Sequence, residues 1–209
     1  MSPKDSYHHG NLRRALLDDA LAVIREKGMD GLSLRAVAAR AGVSHAAPYH
    51  HFKDKAALLD ALAGEASVLL DGRMAVAVQD AGDDPRRQLL ALGLAYVSFA
   101  VESPEYYAAF TASARTAPAT SGAAEAAAAG VTAWSRLLGA VAACQAAGVL
   151  PAGDTAVYGV TFWSLVHGLA ELWRTGQFAQ LPHGGEGLEP LARRVLLAAL
   201  GTPEADAAA

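Results

Sequence analysis

Side chains able to touch phosphates and base edges crowd into residues 33–55, SLRAVAARAGVSHAAPYHHFKDK. Arg35 can give two parallel hydrogen bonds to the O6 and N7 edge of guanine. His45 can donate to a base edge, and the methyl groups of Ala46 and Ala47 can pack against the methyl of thymine. The Tyr49 hydroxyl, the His50 and His51 imidazoles and the Lys53 and Lys55 ammonium groups suit phosphate oxygens. Such contacts set a protein's register on a duplex without reading its sequence. Arg40 stands where a cation favours a helix C-terminus, so it reads as structural.

These groups need two short helices and a turn to hold them. Ser33 is an expected N-cap, and Leu34, Val37, Ala38 and Ala41 then recur at helical spacing on one face. Gly42 follows, where a helix end commonly needs a left-handed residue. Val43 returns to the core. Ser44 is expected to cap a second helix over residues 45–51 and to stand with its DNA-facing side chains. Phe52 is expected in the core, and the Tyr49 ring is expected to close it. This is the layout of a helix-turn-helix, whose second helix enters the major groove. Pro48 conflicts with it: proline has no amide hydrogen, so the start of that helix should be irregular.

Composition fits an all-helical protein. The 209 residues are 53 % hydrophobic, with alanine and leucine dominant and no β-branched alternation. The net charge of −4 is unevenly spread. Residues 1–55 carry nine Lys and Arg against six Asp and Glu, a balance of +3, and five of the seven histidines. The remainder carries eight against fifteen, a balance of −7. An N-terminal anion-binding head is the expected consequence. Cys144, the single cysteine, can form no disulfide within the chain. With no signal-peptide hydrophobic region, the expected location is the cytoplasm. Residues 155–170 form an uncharged run of 16 with His167 inside it. A membrane span needs roughly 20 residues, so no membrane partner is expected.

Along the rest of the chain, residues 1–10 are expected to be an arm, with His8 and His9 able to reach DNA. Helix one covers 11–27, with Leu17, Leu21 and Ile24 as its buried stripe. A long helix capped by Asp54 runs to about residue 79 and links head to body. Pro85 opens the next helix, Pro104 starts another after a break at Ser103, and residues 116–130 are low-complexity. The helix expected beyond them ends at about residue 147. Another covers 155–175, with Tyr158, Phe162, Leu165, Leu169 and Leu172 on one face and Thr161, Ser164 and Gly168 on a second face of small residues. The last covers 186–200. The domains are drawn at 1–54 (DNA-binding), 55–201 (ligand binding and dimerisation) and 202–209 (tail).

Two other chemistries have weaker support. A metal site from His8, His9, His45, His50 and His51 lacks a recognisable ligand spacing. His167 and Glu171, one helical turn apart, could share a proton. No activated nucleophile, third ligand or phosphate loop accompanies them, so neither a catalytic residue nor a cofactor is expected.

The helix-turn-helix pattern with Tyr49, His50, His51, Phe52, Lys53 and Lys55 resembles the TetR (tetracycline repressor) family of transcriptional regulators. The likeness covers residues 7–62 closely and the whole length more loosely. The YHHGNLR start at residues 7–13 and the Trp163-x3-His167-Gly168 motif look like the branch with a WHG-type C-terminal domain. The sequence departs from the commonest family pattern with Ala47 in place of a hydroxyl and Pro48 in place of an aliphatic residue. The resemblance implies a homodimer on an inverted-repeat operator, most often a repressor released by a small effector. It also implies a pocket in the body. Tyr96, Phe99, Tyr106, Tyr107, Phe110, Trp134, Trp163 and His167 are the candidate lining for a largely apolar ligand. An enzyme built on His167 and Glu171, or a DNA-binding protein without a ligand, are the alternatives.

Overall fold

The computed structural model describes residues 12–116, 132–180, 185 and 187–201. The expected arm with His8 and His9, most of the low-complexity stretch, residue 186 and the 202–209 tail lie outside them. The described residues form eight α-helices and no strand. The helices are α1 (Leu12–Lys27), α2 (Leu34–Arg40), α3 (Lys55–Asp80), α4 (Pro85–Glu102), α5 (Pro104–Thr116), α6 (Ala133–Ala146), α7 (Thr155–Arg174) and α8 (Leu188–Ala199). Short 3₁₀ turns lie at Met29–Gly31, Ala47–His50 and Gln177–Gln180.

Local chemistry accounts for many of the helix ends. The Ser33 hydroxyl accepts from the Ala36 amide at 3.1 Å. At the other end of α2, Gly42 takes a φ of 68°, and Val43 N–H closes back onto the Ala38 carbonyl at 3.1 Å. Asp54 accepts from Ala57 N–H at 2.9 Å, Asp84 from Arg86 N–H at 2.8 Å and Asp154 from Ala156 N–H at 2.8 Å. Thr132 and Ser135 cap α6 reciprocally. Ser103 ends α4 directly before Pro104, whose ring disfavours helical geometry in the preceding residue.

The chain falls into two compact units, Met1–Ala66 with Pro104–Ala124, and Ser67–Ser103 with Glu125–Ala209. They divide the chain at different places from the boundary drawn by composition at residue 54. α3 carries residues of both units.

The first unit is built on Leu16, Leu17, Ala20, Val23 and Ile24 of α1, with Leu34 and Val37 of α2, Phe52, Leu58, Leu59, Leu62 and Ala109. The buried stripe of α1 is thus rotated from the expected one: Leu16 and Val23 are inside, and Leu21 is only half-buried. α5 is pinned here by polar contacts as well. Arg25 donates to Glu105 at 2.5 Å, Tyr106 to Glu65 at 3.0 Å, and Ser113 to Asp60 at 2.7 Å.

The second unit packs α4, α6, α7 and α8 around Leu92, Val97, Phe99, Val141, Cys144, Phe162, Val166, Ala192 and Leu196. A Cβ at Gly159 would sit 2.7 Å from Leu138 Cδ2, so α6 and α7 approach as closely as they do because that position is glycine. On α7 the buried residues are Gly159, Phe162, Val166, Leu169 and Ala170. Tyr158, Leu165 and Leu172, expected on the core face, are half-buried at its margins. No described helix is long and apolar enough to cross a membrane.

Candidate nucleic-acid interface

The turn after α2 is where the sequence expectation needs correction. Residues 45–51 do not form an α-helix capped by Ser44: residues 45 and 46 form a turn, and Ala47–His50 is a 3₁₀ helix. Its N-cap position is Ala46, which has no side-chain cap bond. The physical reason is Pro48. In an α-helix started at Ser44, the Ser44 carbonyl would accept from the amide of residue 48, and proline has none. Ala47 N–H takes that carbonyl instead at 3.0 Å, Tyr49 N–H bonds the Ala46 carbonyl at 3.1 Å, and His51 N–H bonds the Pro48 carbonyl at 3.0 Å.

Pro48 also takes the buried place expected for Tyr49. The proline is buried, whereas Tyr49 is 55 % exposed, so its ring does not close the core. Phe52 does, at 3 % exposure, with its amide on the Pro48 carbonyl at 2.9 Å.

Around this turn the side chains of Arg35, Ser44, His45, Tyr49, His50 and Lys53 are exposed. They make no hydrogen bond or ion pair with other described residues, which leaves their donors open to a ligand. Ala46 is exposed, Ala47 is half-buried, and His51 stacks obliquely on Phe52 with centroids 6.5 Å apart. Two cations are committed within the fold. Arg40 pairs with Asp19 at 3.2 Å and Glu26 at 2.7 Å, tying α2 to α1. The Lys55 ammonium donates to the Met29 carbonyl at 3.1 Å, so a phosphate at Lys55 would have to share or displace that bond. The Arg13 guanidinium of α1 lies 5.4 Å from the Phe52 ring centroid. That cation–π contact holds a further positive charge beside the turn. Spacing could not reveal it, because the partners lie on elements far apart in the chain.

Two family models match the chain. Residues 16–62 match "Bacterial regulatory proteins, tetR family", and residues 89–199, more than half of the chain, match "Tetracyclin repressor-like, C-terminal domain". The chain belongs to the TetR family. It is therefore a DNA-binding transcriptional regulator with an N-terminal helix-turn-helix and a helical C-terminal domain, and TetR-family regulators are not enzymes.

Within the family, the chain is 51 % identical over 51 residues to the tetracycline repressor protein class C of Escherichia coli. That match covers 24 % of this chain and 23 % of the repressor, so the chain spans about a quarter of the length of that curated relative. A solved protein of unknown function from Rhodococcus sp. RHA1 is similar over 95 % of this chain and 96 % of its own, with 37 % identity and a TM-score of 0.73. The TetR family transcriptional regulator PfmR from Thermus thermophilus shares the fold at a TM-score of 0.69 and 21 % identity, over 90 % of this chain and 98 % of its own.

The candidate effector residues of this TetR-family chain do not fall in one unit. Tyr106, Tyr107 and Phe110 lie on α5 in the first unit, while Tyr96, Phe99, Trp134, Trp163 and His167 lie in the second. Tyr107 and Phe99 are fully buried. Tyr106 is held by Glu65, which also receives Arg14 at 2.7 Å, and burial pushes its phenol pKa up. In the second unit the Tyr96 hydroxyl lies 2.8 Å from His167 Nδ1, and Trp134 meets Trp163 with centroids 5.2 Å apart. The Glu171 carboxylate pairs with Arg174 at 2.6 Å. No cluster of three metal-ligating side chains occurs among the described residues.

Proposed function

We propose that this chain is a cytoplasmic repressor that binds an inverted-repeat operator as a two-fold homodimer and is released by a small, largely apolar effector. The observation that carries the operator reading is the set of exposed, uncommitted donors at Arg35, His45, Tyr49, His50 and Lys53 around one short turn. Arg35 and His45 serve as base readers, and Ser44, Tyr49, His50, His51, Lys53 and Lys55 as phosphate contacts, with Ala46 and Ala47 against a thymine methyl.

The dimer reading rests on α7. Val157 is 61 % exposed, Val160 55 % and Trp163 40 %, with exposed Thr161 and Ser164 and half-buried Gly168 beside them. A helix face this apolar is normally covered, and a second copy of the same face is the simplest cover for a symmetric regulator. The Trp163–His167–Gly168 motif on this helix supports a WHG-type C-terminal domain. A dimer would place two recognition turns on half-sites roughly 34–36 Å apart, or a multiple of that distance.

The effector reading rests on Tyr96, Phe99, Trp134, Trp163 and His167 in the second unit, which holds a hydroxyl–imidazole pair and a pair of indole rings. These would line an apolar pocket with one polar end. Domains for DNA (1–54) and effector (55–201) are joined through α3, the candidate lever. A ligand favouring the state unable to bind DNA by ~3 kcal/mol would weaken operator binding about a hundredfold.

Footprinting of the full-length protein on the DNA upstream of its own gene tests the operator reading. Protection of an inverted repeat supports it, and protection of a single unrepeated half-site would refute the dimer on DNA. For the effector, a screen in which ligands bind the protein tightly while operator affinity never changes would remove the lever.

A further inference from the structure

We infer that Pro48 is a specificity-determining residue: by holding the recognition segment in a 3₁₀ turn, it sets which side chains meet which base pairs. This rests on the DNA binding of the family and goes beyond it to a residue of this chain.

Because Pro48 cannot donate, the Ser44 carbonyl is taken by Ala47 and the following bonds run from residue i+3 to residue i. The Pro48 ring is buried and its carbonyl accepts from both His51 at 3.0 Å and Phe52 at 2.9 Å. The turn is therefore fixed at its centre from both sides, by packing and by hydrogen bonds.

Rotational phase follows from helix type. At 3.6 residues per turn, His45 and Tyr49 would point within about 40° of each other. At 3.0 residues per turn they diverge by about 120°, and Ala46 comes into line with Tyr49. In the first arrangement one face would offer the imidazole and the phenol to neighbouring base edges. In the second, His45 and Tyr49 would address separate places along the duplex, the imidazole a base edge and the hydroxyl a phosphate. Ser44 changes role for the same reason. Its hydroxyl caps nothing and stays exposed, available to phosphate.

Restoring the amide should reset the phase. Pro48→Ala and Pro48→Val both regain an N–H for the Ser44 carbonyl, and Pro48→Val keeps apolar volume in the buried place. The test is selection from a randomised duplex pool with full-length wild type and both variants, followed by affinities for each protein's preferred site. The enriched sequence reports only the folded, binding molecules, so partial loss of fold does not alter it. The expected result is a new preferred base at one or two positions per half-site. The affinity ratio between the wild-type and variant sites should change about tenfold, while the salt slope stays unchanged, because no phosphate-neutralising cation is removed.

The same enriched sequence for all three proteins, with affinity lowered evenly, would mean that Pro48 only fills space. A second measurement needs no proline variant. His45 and Tyr49 are both exposed: His45→Ala should relax preference at one base pair, whereas Tyr49→Ala should weaken all sequences about evenly, because its hydroxyl meets phosphate. Relaxation at one shared base pair would overturn the 3₁₀ phase, and a wild type that enriches no sequence would overturn the proposal along with operator reading itself.

Discussion

Arg35 and Lys53 are both exposed cations without a partner among described residues, yet they should behave differently on DNA. A guanidinium can match two acceptors on one base, whereas an ammonium is a point charge. Arg35→Ala should therefore cost roughly 1–3 kcal/mol at the operator and relax preference at one position, as should His45→Ala. Lys53→Ala should weaken all duplexes about equally and flatten the dependence of log K on log salt by about one unit. Titrations on operator and scrambled duplexes at several salt concentrations separate the two. A change of base preference with Lys53→Ala but not with Arg35→Ala would exchange their roles. Lys55 differs from both, since its ammonium already serves the Met29 carbonyl in the link between α1 and α2.

At the scale of elements, the sharpest dependence on solution conditions lies where α5 meets α1. The Arg25 guanidinium holds the Glu105 carboxyl below its ordinary range, although burial opposes the shift. A carboxylate with a lowered folded pKa stabilises the fold at pH above its unfolded value, about 4.3, and that contribution disappears as pH falls through the lower folded value. Glu105→Gln should therefore lower the unfolding midpoint at neutral pH, with the difference from wild type shrinking away as pH falls through the lowered carboxyl range. Urea unfolding from neutral pH down into that acid range measures it, and an equal gap at every pH would show that the ion pair contributes nothing. Ser113→Ala, which removes a buried donor from Asp60, should cost about 1 kcal/mol at any pH above the carboxylate range.

Helix boundaries were legible because their causes are local. Ser33, Gly42, Asp54 and Pro85 each act within a turn of the chain, and the structure uses every one of them. The partner of α5 was not legible, since Arg25 and Glu105 lie 80 residues apart and periodicity marks an apolar face without naming what covers it. The recognition turn lies between these cases. Pro48 announced a lost hydrogen bond, but which neighbour would take the orphaned carbonyl, and that Tyr49 would turn outward, depended on the proline being buried.

At the scale of the whole molecule, the outcome hangs on α7. Its outer face carries Val157, Val160 and Trp163 exposed, and a Cβ placed on Gly168 meets nothing within 4 Å in its own chain. The first atom of a larger side chain there meets no described atom of the protomer, so an effect on assembly reads what lies against the helix from outside. Wild type at micromolar concentration should sediment as a dimer. Gly168→Leu should give monomers with undiminished helix content, because a bulky side chain separates two closely packed helices. The same variant should bind a single half-site with unchanged salt slope per protomer but lose the gain in affinity from the second half-site. Wild type sedimenting as a monomer would remove the homodimer. A Gly168→Leu protein that stays dimeric would move the contact along α7, toward Val157 and Val160, where a charged substitution is then the deciding variant.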